Sequence, residues 1–314
     1  MEDNGGVCPQ WRCVSRRTFI QTALTGLALA HATPARAAQP HARLILLGTA
    51  GGPTPKPSRA APANAIVIGD RTYVIDCGNG VARQLALARV PMASIRHVFI
   101  THHHSDHDAD YGNLLLLAWG DALRTRVDTW GPPPLREMTE LFLRLNRVDI
   151  EVRQRDEGRP PLGPLIHPHE VTNGGLVMRD DLVHVTAARV EHPLIPIALA
   201  YRFDCPDRVI VFSGDTRPSE RLIALARGAD VLVHEVLLPS RLNPQMPESV
   251  RHHIMNSHTT AEDAGRVAAA ANVKVLVLTH LVPTEPPAPD EDWIAPARRH
   301  FDGRIVLGHD LLEL

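Results

Sequence analysis

Apolar residues along this chain gather in short runs broken by polar, glycine-rich or proline-rich stretches. Strands are predicted over Arg43–Leu47, Ala65–Ile68, Thr72–Ile75, Val98–Thr101, Leu182–Val190, Ile197–Phe203, Arg208–Ser213, Val231–Glu235, Val275–Thr279 and Ile305–Leu307. Helical spacing is predicted over Val81–Ala88, Leu114–Leu123, Leu135–Leu145, Arg221–Arg227 and Thr260–Ala271. The last of these opens on a threonine and places Glu262 and Asp263 in its first turn, where a helix N-terminus favours acids. Loops are marked at Gly51–Pro62, Gly131–Pro134, Gly158–Pro168 and Pro283–Pro289, and no internal repeat or low-complexity tract is visible. Strands interleaved with helices support an α/β or α+β fold and no finer class.

The first residues follow a different logic. Ser15-Arg16-Arg17-Thr18-Phe19-Ile20 is a twin-arginine export pattern, an apolar run from Phe19 to Ala30 follows, and Ala35-Arg36-Ala37 supplies a small-x-small cleavage site. Residues 1–37 therefore read as a signal peptide addressed to the twin-arginine translocation machinery, and residues 38–314 as a periplasmic or secreted domain. The apolar run is shorter than the ~20 residues that a membrane span requires. The chain carries a net charge of −2, and the export segment is basic, so the exported part is more acidic than the whole. Such a balance gives no overall attraction to a polyanion and disfavours nucleic acid as a partner. Local basic patches remain available, since all but Lys56 and Lys274 of the 33 basic residues are arginine. Of the 4 cysteines, Cys8 and Cys13 fall in the export segment; Cys77 and Cys205 remain and make no disulfide framework. Cys77 reads as a small buried hydrophobe.

The chemistry concentrates in Thr101–His107. The stretch contains His-x-His-x-Asp-His at His102, His104, Asp106 and His107, after the strand-like His97-Val98-Phe99-Ile100. Four metal-ligating side chains so closely spaced cannot all point one way along a regular strand or helix, so a loop wrapped around an ion is expected. Imidazole suits zinc, manganese or iron, and an adjacent carboxylate holds a second hard ion or a water. Further ligand types recur at strand ends or helix starts: His192, Asp215 in Ser-Gly-Asp-Thr, His258 in Ser-His-Thr-Thr, and His280 in Thr-His-Leu.

With these residues the chain resembles the metallo-β-lactamase superfamily, in particular its tRNase Z-like branch and the arylsulfatase-like relatives. The likeness runs from about Arg43 to Leu314. It includes Leu46-Leu47-Gly48-Thr49-Ala50 with Pro53 and Arg59, Val74-Ile75-Asp76-Cys77-Gly78 with Gln84-Leu85, Ser213-Gly214-Asp215-Thr216, His234-Glu235 and His258-Thr259-Thr260, in order. The resemblance implies an α+β fold, a four-layer αββα sandwich. It implies two zinc ions, with manganese or iron as alternatives: His102, His104 and His192 on one, Asp106, His107 and His280 on the other, and Asp215 bridging. It further implies ester hydrolysis by a hydroxide shared between the ions, with Asp106 able to take its proton. His258 is the implied proton donor to the leaving oxygen, and Glu235 the carboxylate that orients it. Relatives are often dimers, so a homodimer is compatible with the likeness.

Two departures bear on the substrate. The tRNA-processing enzymes carry a long arm where this chain has only the Pro-rich Gly158–Pro168, and they usually have glycine at the position of Ser105. The first, with export, shifts the expectation away from tRNA toward a small ester substrate, and the serine resembles exported hydrolases of the arylsulfatase-like branch. The leading expectation is a phosphodiesterase of the ribonuclease Z type. An arylsulfatase-like sulfoester hydrolase, a lactonase or β-lactamase, and a non-catalytic metal-binding periplasmic protein are the alternatives. Among the other candidates, His103 and His234 are expected to be structural by strand alternation, and His252 and His253 to lie on a solvated loop. Tyr111, Trp119 and Trp130 are expected to pack in the core rather than wall an aromatic leaving group.

Overall fold

The computed structural model describes residues 40–314. The export segment and its cleavage site, with Cys8 and Cys13, lie outside the described residues. Within them the strands are β1 (Ala42–Gly48), β2 (Ala63–Ile68), β3 (Arg71–Ile75), β4 (Ile95–Phe99), β5 (Val127–Gly131), β6 (Ile166–Glu170), β7 (Gly175–Arg179), β8 (His184–Val190), β9 (Ala198–Asp204), β10 (Val209–Phe212), β11 (Val231–Leu237), β12 (Val275–Val282), β13 (Arg304–Leu307) and β14 (Leu312–Glu313). They form two 7-stranded mixed sheets, ordered β14-β1-β2-β3-β4-β5-β6 and β13-β12-β11-β10-β9-β8-β7. Each sheet starts as an antiparallel meander and continues in parallel strands, so the two halves of the chain repeat one topology.

The apolar runs have no polar alternation because both faces of the inner strands are covered. In β1, Leu44 and Leu46 face the opposite sheet, while Ile45 and Leu47 face the outer helices. In β10 and β11, Ile210, Phe212 and Val233 point to the inter-sheet core, and Val211 and Leu232 to the helices on the other side. One core thus lies between the sheets, built on Tyr73, Phe99, Tyr201 and Phe203, with edge-on aromatic contacts at 5.0 Å (Phe99–Phe203) and 5.4 Å (Phe99–Tyr201). Two further cores lie under the helices. This is the four-layer αββα sandwich expected.

Several elements escaped the sequence reading. The strands β5, β6 and β7 have only 5 residues each, and β6 carries a proline, Pro168, inside the stretch expected to be loop. They lie toward the far edges of the two sheets; in β5 and β6 polar positions such as Asp128, His167 and His169 erase the apolar signal, and β7 is too short to show a period. His252 and His253 are not on a loop: they sit in the helix Glu248–Ser257, whose apolar residues are too few to show a helical stripe. Helices Arg147–Glu157 and Asp290–Arg298 were missed for the same reason. No helix of the described residues is long and apolar enough to cross a membrane.

Candidate metal centre

The parallel strands of both sheets end on one rim, and the polar residues gather there. After β4 the chain runs extended through His102 and His104 and then makes one helical turn, Ser105–Asp108. The extended part aims His102 and His104 at the same point, and the turn brings Asp106 and His107 back toward it. His192 follows β8, Asp215 follows β10, Glu235 lies in β11 and His280 in β12. All seven expected ligands meet in one cluster, and all but His104 are buried.

His104 Nδ1 lies 3.1 Å from His102 Nε2 and 3.1 Å from His192 Nε2, and His102 Nε2 lies 3.9 Å from Asp215 Oδ2. Opposite them, His280 Nε2 is 3.3 Å from Asp106 Oδ2, and Asp215 reaches His107 Nε2 with Oδ1 at 3.3 Å and His280 Nε2 with Oδ2 at 3.2 Å. Asp215 therefore stands between two groups of ligands. Ligand atoms ~2.0–2.1 Å from a tetrahedral zinc sit about 3.3 Å apart, which these spacings resemble. The hydrogen-bond accounting agrees: His107 Nε2 and Asp215 Oδ1, both turned into the cluster, are buried without a hydrogen-bond partner. Such atoms carry a full desolvation penalty unless something else satisfies them. A divalent cation fits this donor set, with three borderline imidazoles on one side, two imidazoles and the harder Asp106 carboxylate on the other, and Asp215 beside both.

The far sides of the imidazoles are held by neighbours that set the tautomer. His192 Nδ1 donates to the Ser257 carbonyl at 3.0 Å, and His102 Nδ1 lies 3.0 Å from Thr101 Oγ1. His107 Nδ1 lies 2.8 Å from Asp76 Oδ2, while Asp76 Oδ1 accepts from the Thr101 backbone N–H. Asp76 is thus a positioning residue that the sequence reading quoted only as part of a motif. Its signal was an acid at a strand end, and its backbone is unusual: φ is 61°. His280 shares that conformation, with φ of 48°. The β11–β12 register skips it, passing from Glu235–Thr279 to Val236–Leu281, so His280 is the extra residue of a bulge that turns its ring into the cluster. Gly51 passes close behind: a Cβ there would lie 2.7 Å from His280 Nδ1. Asp215 likewise depends on Gly214, whose φ is 58° and whose absent Cβ would meet the Leu199 carbonyl at 2.7 Å.

Electrostatics set the ionisation of the cluster. Burial pushes Asp215 up, but His280, His107 and His102 together hold it well below the usual carboxylate range. Burial pulls His104 down, and His192 adds to it, to about 4. Burial and the neighbouring His107 lower His102 as well. Neutral imidazoles and ionised carboxylates are the forms that bind metal.

Beside the cluster stands a second pair. Glu235 Oε1 accepts from the backbone N–H groups of Thr259 at 3.0 Å and Thr216 at 3.2 Å. Its Oε2 faces His258 Nδ1 at 3.3 Å, an ion-pair contact. Burial works against the imidazolium of His258, yet Glu235, followed by Asp215 and Asp106, pushes its pKa up to about 9. His253, half-buried on the helix before His258, packs its ring 5.9 Å from that of His104 and 6.0 Å from that of His192. It belongs to the site mouth.

The remaining candidates are structural. His103 is held between Asp108 and the Pro132 carbonyl, both at 2.8 Å. His234 is fully buried and bonds the Glu235 carbonyl at 2.7 Å. Tyr111 bonds Thr129 and Thr139, Trp119 donates to the Pro160 carbonyl, and Trp130 stacks on His169, so none walls the site. Cys77 is a buried core residue, and both Cys77 and Cys205 are free. Ser105 is exposed and, with Asp106 and Lys56, lines a pocket of about 120 Å³ beside the second ligand group.

The profile of a family described as "Beta-lactamase superfamily domain" matches residues 71–281, a stretch that contains all seven clustered ligands. A ribonuclease Z of Mycobacterium bovis is 35% identical over 271 residues, covering 85% of this chain and 96% of the relative. A ribonuclease Z of Mycolicibacterium gilvum is 34% identical over 85% of this chain and 94% of its own length. Among solved structures, the short form of human tRNase Z superposes with a TM-score of 0.64 at 21% identity, over 87% of this chain and 98% of that one.

Proposed function

The chain belongs to the beta-lactamase superfamily and is a metal-dependent hydrolase, and from that premise we propose that it is a dinuclear zinc phosphodiesterase of the ribonuclease Z type. The observation that carries the reading is Asp215: its Oδ2 lies 3.9 Å from His102 Nε2 in one group, and its Oδ1 and Oδ2 lie 3.3 Å from His107 Nε2 and 3.2 Å from His280 Nε2 in the other. His102, His104 and His192 would hold one ion, Asp106, His107 and His280 the other, and Asp215 would touch both. When bound, the pair supplies Lewis acidity toward the phosphoryl oxygen and a water acidified to the neutral range.

The chain's own residues supply the rest. Asp76, Thr101 and the Ser257 carbonyl fix the imidazoles before substrate arrives, so little reorganisation accompanies the reaction. Asp106 accepts the Gly52 backbone N–H at 3.0 Å, which holds its carboxylate toward the reacting side, where it can take a proton. Glu235, anchored by two backbone N–H groups, keeps His258 charged and turned so that its other nitrogen is free to protonate the departing oxygen. The Glu235–His258 pair favours a phosphodiester over a lactam, and the ribonuclease Z relatives favour it over a sulfoester.

The metal-loaded protein is expected to hydrolyse bis-p-nitrophenyl phosphate, and to leave p-nitrophenyl sulfate and nitrocefin essentially untouched in parallel assays. Turnover of sulfate alone would replace this reading with the arylsulfatase-like one.

Export through the twin-arginine pathway belongs to the same proposal and rests on the Arg16-Arg17 segment. A variant with both Arg16→Lys and Arg17→Lys is expected to stay in the cytoplasmic fraction while the unaltered protein reaches the periplasm. Equal distribution of the two would remove export from the reading.

A further inference from the structure

Every clustered ligand except His104 is buried, so the cluster opens to solvent on the side of His104. One side chain outside the ligand set stands at that opening. The ring of His253 lies 5.9 Å from that of His104, 6.0 Å from that of His192 and 6.4 Å from that of His258, edge-on to each. It is half-buried, while its neighbour His252 is exposed. Both belong to the helix Glu248–Ser257, and residues four apart share a helix face. Ser257 therefore lies on the face of His253, and its Oγ is 3.3 Å from His253 Nδ1. The same serine holds His192 through its carbonyl and precedes His258 in the chain. It thus fixes His253 relative to a metal ligand and to the proton donor. The other ring nitrogen of His253, Nε2, has no hydrogen-bond partner among the described residues.

We propose that His253 is a specificity-determining residue whose Nε2 bonds a hydroxyl on the carbon next to the departing oxygen of a phosphodiester. His258 protonates the departing oxygen, and His253 stands beside it at the mouth. Two imidazoles with ring centroids 6.4 Å apart leave room for one oxygen each, because nitrogen and oxygen bond at about 2.7–3.2 Å. A hydroxyl suits this nitrogen better than a phosphoryl oxygen does. A neutral imidazole offers one donor and one acceptor, and the Ser257 hydroxyl at Nδ1 accommodates either tautomer. A hydroxyl on the substrate pairs with Nε2 in both cases, whereas a phosphoryl oxygen pairs in only one. The proposal rests on the phosphodiesterase reading and narrows it to diesters whose leaving alcohol carries a vicinal hydroxyl, as a ribose 3′-oxygen does.

The test compares hydrolysis of uridylyl-(3′→5′)-uridine by the metal-loaded protein with hydrolysis of its analogue lacking the first 2′-hydroxyl. In each, the oxygen of water bonds to phosphorus as the bond to the 3′-oxygen breaks, and the 3′-oxygen leaves protonated. Chromatography reads uridine 5′-phosphate and the released nucleoside. The unaltered protein is expected to favour the ribonucleotide by about tenfold in kcat/KM, the worth of one hydrogen bond. His253→Ala should lower kcat/KM about thirtyfold for the ribonucleotide and about threefold for the analogue, which erases the preference. His253→Gln, whose amide both donates and accepts, should retain most of the preference. His252→Ala should change neither rate. Metal content and the unfolding midpoint of the His253 variants should match those of the unaltered protein, which separates lost recognition from lost folding or lost metal. An unaltered protein without the preference would overturn the proposal and leave the phosphodiesterase reading in place. So would a His253→Ala protein that keeps the preference, or one that loses both substrates equally along with its metal. Failure of the unaltered protein to cleave bis-p-nitrophenyl phosphate as well as both dinucleotides would remove the phosphodiesterase reading and this proposal with it.

Discussion

Replacing His258 by alanine is expected to slow cleavage of a ribonucleotide linkage by about 10³-fold, and cleavage of bis-p-nitrophenyl phosphate by less than about tenfold. The asymmetry follows from the leaving group. A sugar alkoxide is a poor leaving group and departs only as it gains a proton, whereas p-nitrophenolate is stable enough to leave without one. His258 is built to provide that proton: Glu235 stands 3.3 Å from its Nδ1, and the pair keeps the imidazolium form up to about pH 9. The sign is consistent with a general acid, because a raised pKa leaves the ring charged throughout the neutral range. Glu235→Gln should act in the same direction with a smaller effect, since the amide still orients the ring but no longer favours its charge. Kinetics on both substrates, with metal content measured on each variant, decides the matter. His258 also lies within ligating reach of Asp215 and His280. An equal loss on both substrates, accompanied by lost metal, would make His258 a ligand rather than the proton donor.

The seven clustered residues were legible because the motif at His102 to His107 announces a metal loop and the later ligands stand beside recognisable strand ends. The inner strands were legible for a simpler reason, since burial on both faces leaves unbroken apolar runs such as Val231-Leu232-Val233. What remained hidden depends on backbone geometry and on edges. Nothing in Thr279-His280-Leu281 shows that the chain skips a register position there, yet the bulge aims the ring. Asp76 looks like any acid closing a strand until Thr101 and His107 are found on its two oxygens. His253 could not be separated from His252 without knowing which face of their helix meets His104. The strands β5 and β6 lost their signal to polar residues such as Asp128, His167 and His169 near a sheet edge, and β7 is too short to show a period.

Removing the metal should lower the unfolding midpoint by about ten degrees, and Asp215→Ala should erase at least half of that difference. An ion present at a thousand times its dissociation constant stabilises the folded chain by about 4 kcal/mol. In a domain of this size each kcal/mol moves the midpoint by ~2–4 °C. The site is a strong candidate for such linkage because its unpaired buried atoms, His107 Nε2 and Asp215 Oδ1 among them, are costly in the apo protein and satisfied in the loaded one. Asp215 is the residue whose loss matters most, as it alone reaches both ligand groups. Its alanine variant should hold fewer than two ions per chain by elemental analysis and lose at least about 10³-fold in phosphodiester turnover. Its apo form should remain folded, because the carboxylate removed is a buried charge held by imidazoles rather than part of the inter-sheet core. Scanning calorimetry of both proteins, with and without chelator, reads all of this. Equal chelator effects in the two would show that Asp215 does not share the ions, and the two groups of histidines would then have to be treated as separate sites.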